Sequence, residues 1–351
     1  MQRSSVVPIR TVVVILTIAL LSAACGTSSS EARAETTATT STIAPTVTTS
    51  TVAATTTVEP PPTTTVALSP LEKLGYPVSD DWVVETVIAE IDAATGGLAI
   101  DPDGVMYQAD FGYSGHPGDS LLRITPDGTV ETFARSEEME SLTMTVFGPD
   151  GTLYQSSYGS NRVFVIEPNG EARIIAEGLR GPTGIAVGAD GVLYVEAYNS
   201  NIIHRIMPDG AVEDWVFDRR FNGINGIAAG PDGTLYVVDH KDGSVFAVDQ
   251  DGVVTPLHKF PKATSHVAYS DGSLFVTSRG AFVVFRYDLA TGEAEIIAGN
   301  GEPGRMDGRG SEASMGRPNA ITVGPDGNLY INHGGGNANN PVSIRRISFQ
   351  P

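Results

Sequence analysis

From about residue 94 to its end, the chain alternates short apolar runs with turn residues at a steady beat. Six times an apolar run enters an Asp-Gly turn and leaves as a second apolar run, usually through Leu-Tyr. The copies are GLAIDPDGVMYQAD, TVFGPDGTLYQSS, GIAVGADGVLYVEA, GIAAGPDGTLYVVD, HVAYSDGSLFVTS and AITVGPDGNLYINH. Their turn aspartates, Asp103, Asp150, Asp190, Asp232, Asp271 and Asp326, are separated by 47, 40, 42, 39 and 55 residues. Between them lies a second hairpin, turning at Asp127, Asn169, Asp209, Asp251 and Thr291. Asp-Gly and Asn-Gly accept the positive φ angles of tight hairpins, so each repeat reads as four antiparallel strands, A to D.

A period of roughly 40 to 50 residues is one propeller blade and leaves no room for long helices. The expected fold is all-β, a six-bladed propeller spanning residues 71–351. Its sixth repeat stops after SIRRISFQ and lacks a D strand, whereas WVVETVIAEI (82–91) precedes the first A strand without a partner. Pairing the two closes the ring and removes the open sheet edges that invite aggregation. These repeats, and the stretch AGNGEPGRMDGRGSEASMGRPNAITVGPDGNLYI (298–331), resemble the NHL-repeat and gluconolactonase (senescence-marker-protein) propellers.

The N-terminal part follows other rules. Residues 1–24 carry Arg3 and Arg10 ahead of the apolar run TVVVILTIALLSAA, which reads as a secretory signal. The run is shorter than the roughly 18 to 20 residues needed to span a bilayer. Leu21-Ser22-Ala23-Ala24-Cys25 resembles a bacterial lipobox, although Ser22 stands where leucine is preferred. Cys25 is the single cysteine of the chain, so no internal disulfide can form, and its acylation would anchor the protein to the cell membrane from outside the cytoplasm. Plain secretion is the alternative. Residues 25–70 are Thr, Ser and Pro-rich, cannot bury a core, and read as an extended, O-glycosylated type of stalk.

Charge narrows the partners. The chain carries 22 Lys and Arg against 41 Asp and Glu, a formal charge of -19, and cleavage at Cys25 would remove two arginines and no acid. No excess of cations is available for a phosphate backbone, so nucleic acid is excluded as the expected partner. A monomer that binds a small molecule, a glycan or an envelope protein is expected.

Tight turns should occupy one face of the ring, and every irregular connection the other. His116, His240, His266 and His333 fall on that loop-rich face, whereas His204 and His258 sit inside strands and read as structural. Tyr158, Tyr198, Phe221 and Arg279 are candidates for contacting a ligand ring. The residues opening the A strands, Gly96, Thr143, Thr183, Asn225, Ser265 and Asn319, should point into the central funnel. In the gluconolactonase-like family such positions hold a divalent metal through carboxylates and an asparagine. Asn225-Gly226 matches that form and Asn319-Ala320 more loosely, which implies calcium as cofactor with Asn225 and Asn319 as ligands.

Yet Thr, Ser and Gly stand where that family supplies Glu and Asp, and hard cations want several oxygens, carboxylates among them. Asp110 or Asp239 would add charge only if the ends of their strands reach the funnel. The competing role for both asparagines is hydrogen bonding to the neighbouring blade. Three functions follow: an envelope recognition domain that binds ligand on the loop-rich face; a metal-dependent hydrolase or lactonase with His240, His266 or His333 as proton carrier; and, from the fold resemblance alone, a streptogramin-lyase-like eliminase. No GxSxG elbow, HExxH helix or phosphate-binding glycine loop is present.

Overall fold

The computed structural model describes residues 68–261, 263–334 and 341–351. The chain divides into two units, Met1–Thr63 and Thr64–Pro351, of which the first lies outside the described residues, and with it the signal segment, Cys25 and nearly all of the stalk. Among the described residues no helix is long and apolar enough to cross a membrane.

The second unit is a ring of six antiparallel sheets. Blade one runs Thr95–Ile100, Met106–Asp110, Ser120–Ile124 and Val130–Arg135, and blades two to five repeat this order with A strands Leu142–Phe147, Pro182–Val187, Ile224–Ala229 and Val267–Ser270. Blade six takes Arg317–Val323, Leu329–Gly334 and Val342–Phe349 from the C-terminus and Trp82–Ile91 from the N-terminal side. The closing pair runs antiparallel from Trp82 opposite Phe349 to Ile91 opposite Val342. Each A strand packs on the A strand of the next blade, and that of blade six returns to blade one. Val84, fully buried, joins Ile347, Ile331 and Phe275 in the core between blades five and six, so the closure is held by apolar burial as well as by the ladder.

Two features differ from the expectation. In the Pro-Asp-Gly turns only the glycine takes a positive φ, for example Gly151 at 83°. The proline ahead of the aspartate favours an ordinary type I turn, and the Asp150 carboxylate accepts the Thr152 N–H at 3.0 Å instead of visiting the left-handed region. Only the Ser-Asp-Gly-Ser turn of blade five, without proline, has both central residues positive, Asp271 at 45° and Gly272 at 74°. Blade six also gains a short fifth strand, Gly308–Arg309, paired with Val83 and Val84. It comes from the long connection before Arg317, which the buried Arg345 ties down through Met306 O, at 2.8 Å, and Asp307.

Candidate functional site

At the axis, on the face of the irregular connections, lies a cavity of about 380 Å³. Two tiers of side chains line it, and each tier is one position of the repeat. The inner tier comes from the start of each A strand, within it or, for Ser265, just ahead of it: Gly96, Thr143, Thr183, Asn225, Ser265 and Asn319. The rim is the residue directly after each B strand in blades one to five: Phe111, Tyr158, Tyr198, His240 and Arg279. Thr95, His266 and Arg317 complete the wall.

The inner tier is bonded around the ring. Thr143 Oγ1 donates to Pro182 O at 3.0 Å, Thr183 Oγ1 to Ile224 O at 3.1 Å and Asn225 Nδ2 to Ser265 O at 3.0 Å. Ser265 Oγ then donates to Asn319 Oδ1 at 2.7 Å, and Asn319 Nδ2 to Gly96 O at 3.0 Å. Thr143, Thr183, Asn225 and Asn319 thereby each satisfy a backbone carbonyl of the next blade, and Ser265 fixes the Asn319 side chain. Blade one needs Gly96 here, since a Cβ would lie 2.5 Å from Leu142 O and 2.6 Å from Ala109 O.

A second belt lies behind the cavity, in the B strands, three residues after the leucine of each Leu-Tyr or Leu-Phe pair. Ser156 Oγ accepts Met144 N–H in its own blade and donates to Thr183 O in the next, at 2.9 and 2.6 Å. Thr277 does the same between His266 N and Asn319 O, and Asn332 between Ala320 N and Gly96 O. In blade three this position is Glu196, fully buried. Burial and the Asp239 charge push its carboxyl well above the usual range, against the Gly184 N–H that acts the other way. A protonated carboxyl has both an acceptor and a donor, the functions the three equivalent side chains supply, although neither Glu196 oxygen makes a well-formed hydrogen bond among the described residues.

The next residue along each B strand has a different task. Asp110 accepts Ala94 N–H at 2.8 Å, Asp239 accepts Asn222 N–H, Ser157 bonds both the N–H and the carbonyl of Glu140, and His333 accepts Gly316 N–H at 3.0 Å. All fix the connection into the A strand. The structure therefore turns Asp110 and Asp239 away from the cavity and places His333 on the flank of blade six, its Nε2 beside Arg345 at 3.3 Å. Burial and Arg345 push His333 down to about 3. Phe221 is likewise a core residue, 1% exposed and packed on Phe246, and His116 stacks on Tyr113 outside the cavity.

Of the residues that sequence points to, Tyr158, Thr183, Tyr198, Asn225, His240, His266, Arg279 and Asn319 meet in this one cavity. His240 Nδ1 lies 2.7 Å from Thr264 O. A carbonyl only accepts, so Nδ1 carries the proton and Nε2 is the basic nitrogen. Burial lowers its proton affinity, and His266 falls to about 3 through burial, His240 and Arg279, so both rings are neutral at neutral pH. Arg279 Nη1 donates to Asn319 Oδ1 at 2.9 Å. Burial and the nearby Arg317 bring Arg279 down to about 10, still charged at neutral pH. Lys241 stands 5.1 Å over the Tyr198 ring.

A divalent metal does not fit this lining. Among the described residues none that lines the cavity is Asp or Glu, and no group of three His, Cys, Asp or Glu able to hold a metal occurs. Asn319 Oδ1, the oxygen a cation would want, already faces the Arg279 guanidinium. Arg317, Phe111 and Thr95 were not evident from the sequence. Phe111 could have been found by aligning the residue after each B strand, which gives Phe, Tyr, Tyr, His and Arg in blades one to five.

These features define a six-bladed propeller of the NHL and gluconolactonase type with an axial, loop-face cavity. The family model of the virginiamycin B lyases matches residues 82–288, more than half of the chain, and the chain belongs to that family. A histidine-to-alanine variant of virginiamycin B lyase from Staphylococcus aureus, described as catalytically inactive and bound to quinupristin, superposes with a TM-score of 0.55 at 17% identity, covering 76% of this chain and 99% of that one. An auxiliary nutrient binding protein from Bacteroides ovatus gives 0.61 at 15% identity over 78% and 77%. A gluconolactonase from Xanthomonas campestris gives 0.57 at 15% identity over 76% and 89%. At these identities the three share the fold. No curated protein matches the chain in sequence.

Proposed function

We propose that the axial cavity is a small-molecule binding site and that the protein works as a ligand-binding propeller outside the cytoplasm, held to the membrane through Cys25 and the stalk. The observation that carries the binding reading is the two-tier lining. The inner tier is spent on holding the blades together, whereas the rim side chains converge on open space. Location rests on the lipobox and the stalk alone. Metabolic labelling with an alkyne-tagged palmitate and a Cys25→Ser control tests it: labelling that persists without Cys25 rejects the anchor.

A second reading is favoured by His240. Its tautomer presents a neutral Nε2 lone pair as a base, and a related lyase is inactive without one of its histidines. In a carbon–oxygen elimination, Nε2 would take a proton from the carbon next to the one bearing an ester oxygen. The carbon–oxygen bond breaks, an alkene forms, and the ester leaves as a carboxylate opposite Arg279 and Arg317. Mass spectrometry after incubation with quinupristin separates the readings. An opened product of unchanged mass indicates elimination, gain of one water indicates hydrolysis, and intact quinupristin leaves recognition alone.

A further inference from the structure

We infer that the ligand of the axial cavity is an aromatic carboxylate, or a larger molecule ending in one, with its ring against Phe111, Tyr158 and Tyr198 and its anionic group at Arg279 and Arg317. The inference rests on the cavity being a binding site and names what it binds.

The first ground is a reversal of charge. The chain carries -19 overall, yet among the described residues the cavity wall holds two arginines and no carboxylate. Arg279 and Arg317 are close enough for one to depress the proton affinity of the other. Two guanidiniums lining one cavity raise the local positive potential, and an anionic group is stabilised there.

The second ground is preorganisation. Asn319 Oδ1 accepts from Arg279, and Asn319 is itself fixed by Ser265 and by Gly96 O, so the guanidinium is aimed before any ligand arrives. A planar guanidinium suits a carboxylate bidentately. The third ground is the opposite wall. Phe111 and Tyr158 lie 6.2 Å apart and Tyr158 and Tyr198 6.1 Å apart, a continuous aromatic surface on blades one to three. Both cavity histidines are neutral at neutral pH, so neither competes with the guanidiniums for the charge.

The test is ligand-observed NMR on the intact chain with matched aryl carboxylates and primary amides, 4-hydroxyphenylacetate and 4-hydroxyphenylacetamide among them. Bonds to a charged group are worth about 1.5 kcal/mol or more, so the carboxylates are expected to bind about tenfold tighter. Arg317→Gln, at a half-buried position, should cut that preference to about twofold, weakening the carboxylates more than the matched amides. Arg279→Lys keeps the charge and should retain a preference above about threefold. Equal binding of both members, or a preference undiminished in Arg317→Gln, overturns the anion assignment and leaves the binding site standing. Failure of every member to bind at the cavity overturns both.

Discussion

The two halves of the cavity rim are built from the same repeat position and have opposite chemistry. Blades one to three place Phe111, Tyr158 and Tyr198 after their B strands, whereas blades four and five place His240 and Arg279 there. Arg317 and His266 add to the second half. Behind the rim the halves are alike, since short polar side chains hand hydrogen bonds from blade to blade in both. The contrast shows which parts of a repeat a propeller must keep and which it is free to vary. The inner positions, which bond the next blade or leave room for it, carry Thr, Ser, Asn or Gly, whereas the rim positions vary from aromatic to cationic side chains.

The strongest way to break this division is at the polar half. If the protein is a lyase, His240→Ala should lower turnover roughly hundredfold to ten-thousandfold while the carboxylate affinity of the cavity changes little. A matching loss of binding, or undiminished turnover, would show that His240 holds ligand or structure instead of acting as a base.

The next largest effect is on the inner tier. Gly96→Ala puts a Cβ against two backbone oxygens and should cost about 2 kcal/mol or more, read as a lower melting temperature, because Leu142 O and Ala109 O belong to strands that cannot shift alone. A variant of unchanged stability would show that blade one is not tightly seated against blade two.

Smaller, and specific to the aromatic half, is Tyr158→Ala. It should weaken binding of aryl carboxylates and aryl amides alike, by about threefold to tenfold, leaving their ratio intact. If the ratio changes instead, the two halves are not separate.

The smallest effect sharpens the comparison at the seam between the halves, where Glu196 of blade three adjoins blade four. Glu196→Gln keeps a donor and an acceptor, so its stability near pH 5 should match the parent within about 1 kcal/mol. The parent carboxyl has a raised affinity for protons in the folded state, so its stability is full below the ordinary carboxylate range and falls as pH rises from there through the folded value. The Gln variant lacks that fall. Its melting temperature should gain on the parent as pH rises through this window, and parallel curves would show that Glu196 is ionised in the fold.

Much of the architecture was legible because it repeats. Six Asp-Gly turns and the unpartnered run Trp82–Ile91 were enough to expect the ring and its closure, and the register Trp82 opposite Phe349 agrees. The turn geometry was not legible from Asp-Gly alone, because the loop length decides it: Ser270 pairs directly with Ser273 in blade five, whereas Val187 pairs with Leu193 in blade three. The strand Gly308–Arg309 carries no apolar alternation and is held by Arg345 and Asp307 from outside itself. Among the candidate residues, location on the loop-rich face was sufficient for Tyr158, Tyr198, His240 and Arg279. It misled for Phe221 and His333, since a side chain at a strand end can serve the connection beside it instead of the axis. The asparagines opening two A strands suggested calcium, and their amides proved to be bonded to neighbouring blades.

The most direct measurement is the pose of bound 4-hydroxyphenylacetate, read from intermolecular nuclear Overhauser contacts on the intact chain. The expected result is ring-proton contacts to Phe111, Tyr158 and Tyr198, with the methylene next to the carboxylate towards Arg279 and Asn319. Contacts to Trp82 and Phe349, which line a separate cleft at the Asp271 and Asp326 turns, with none at the axis, would contradict it.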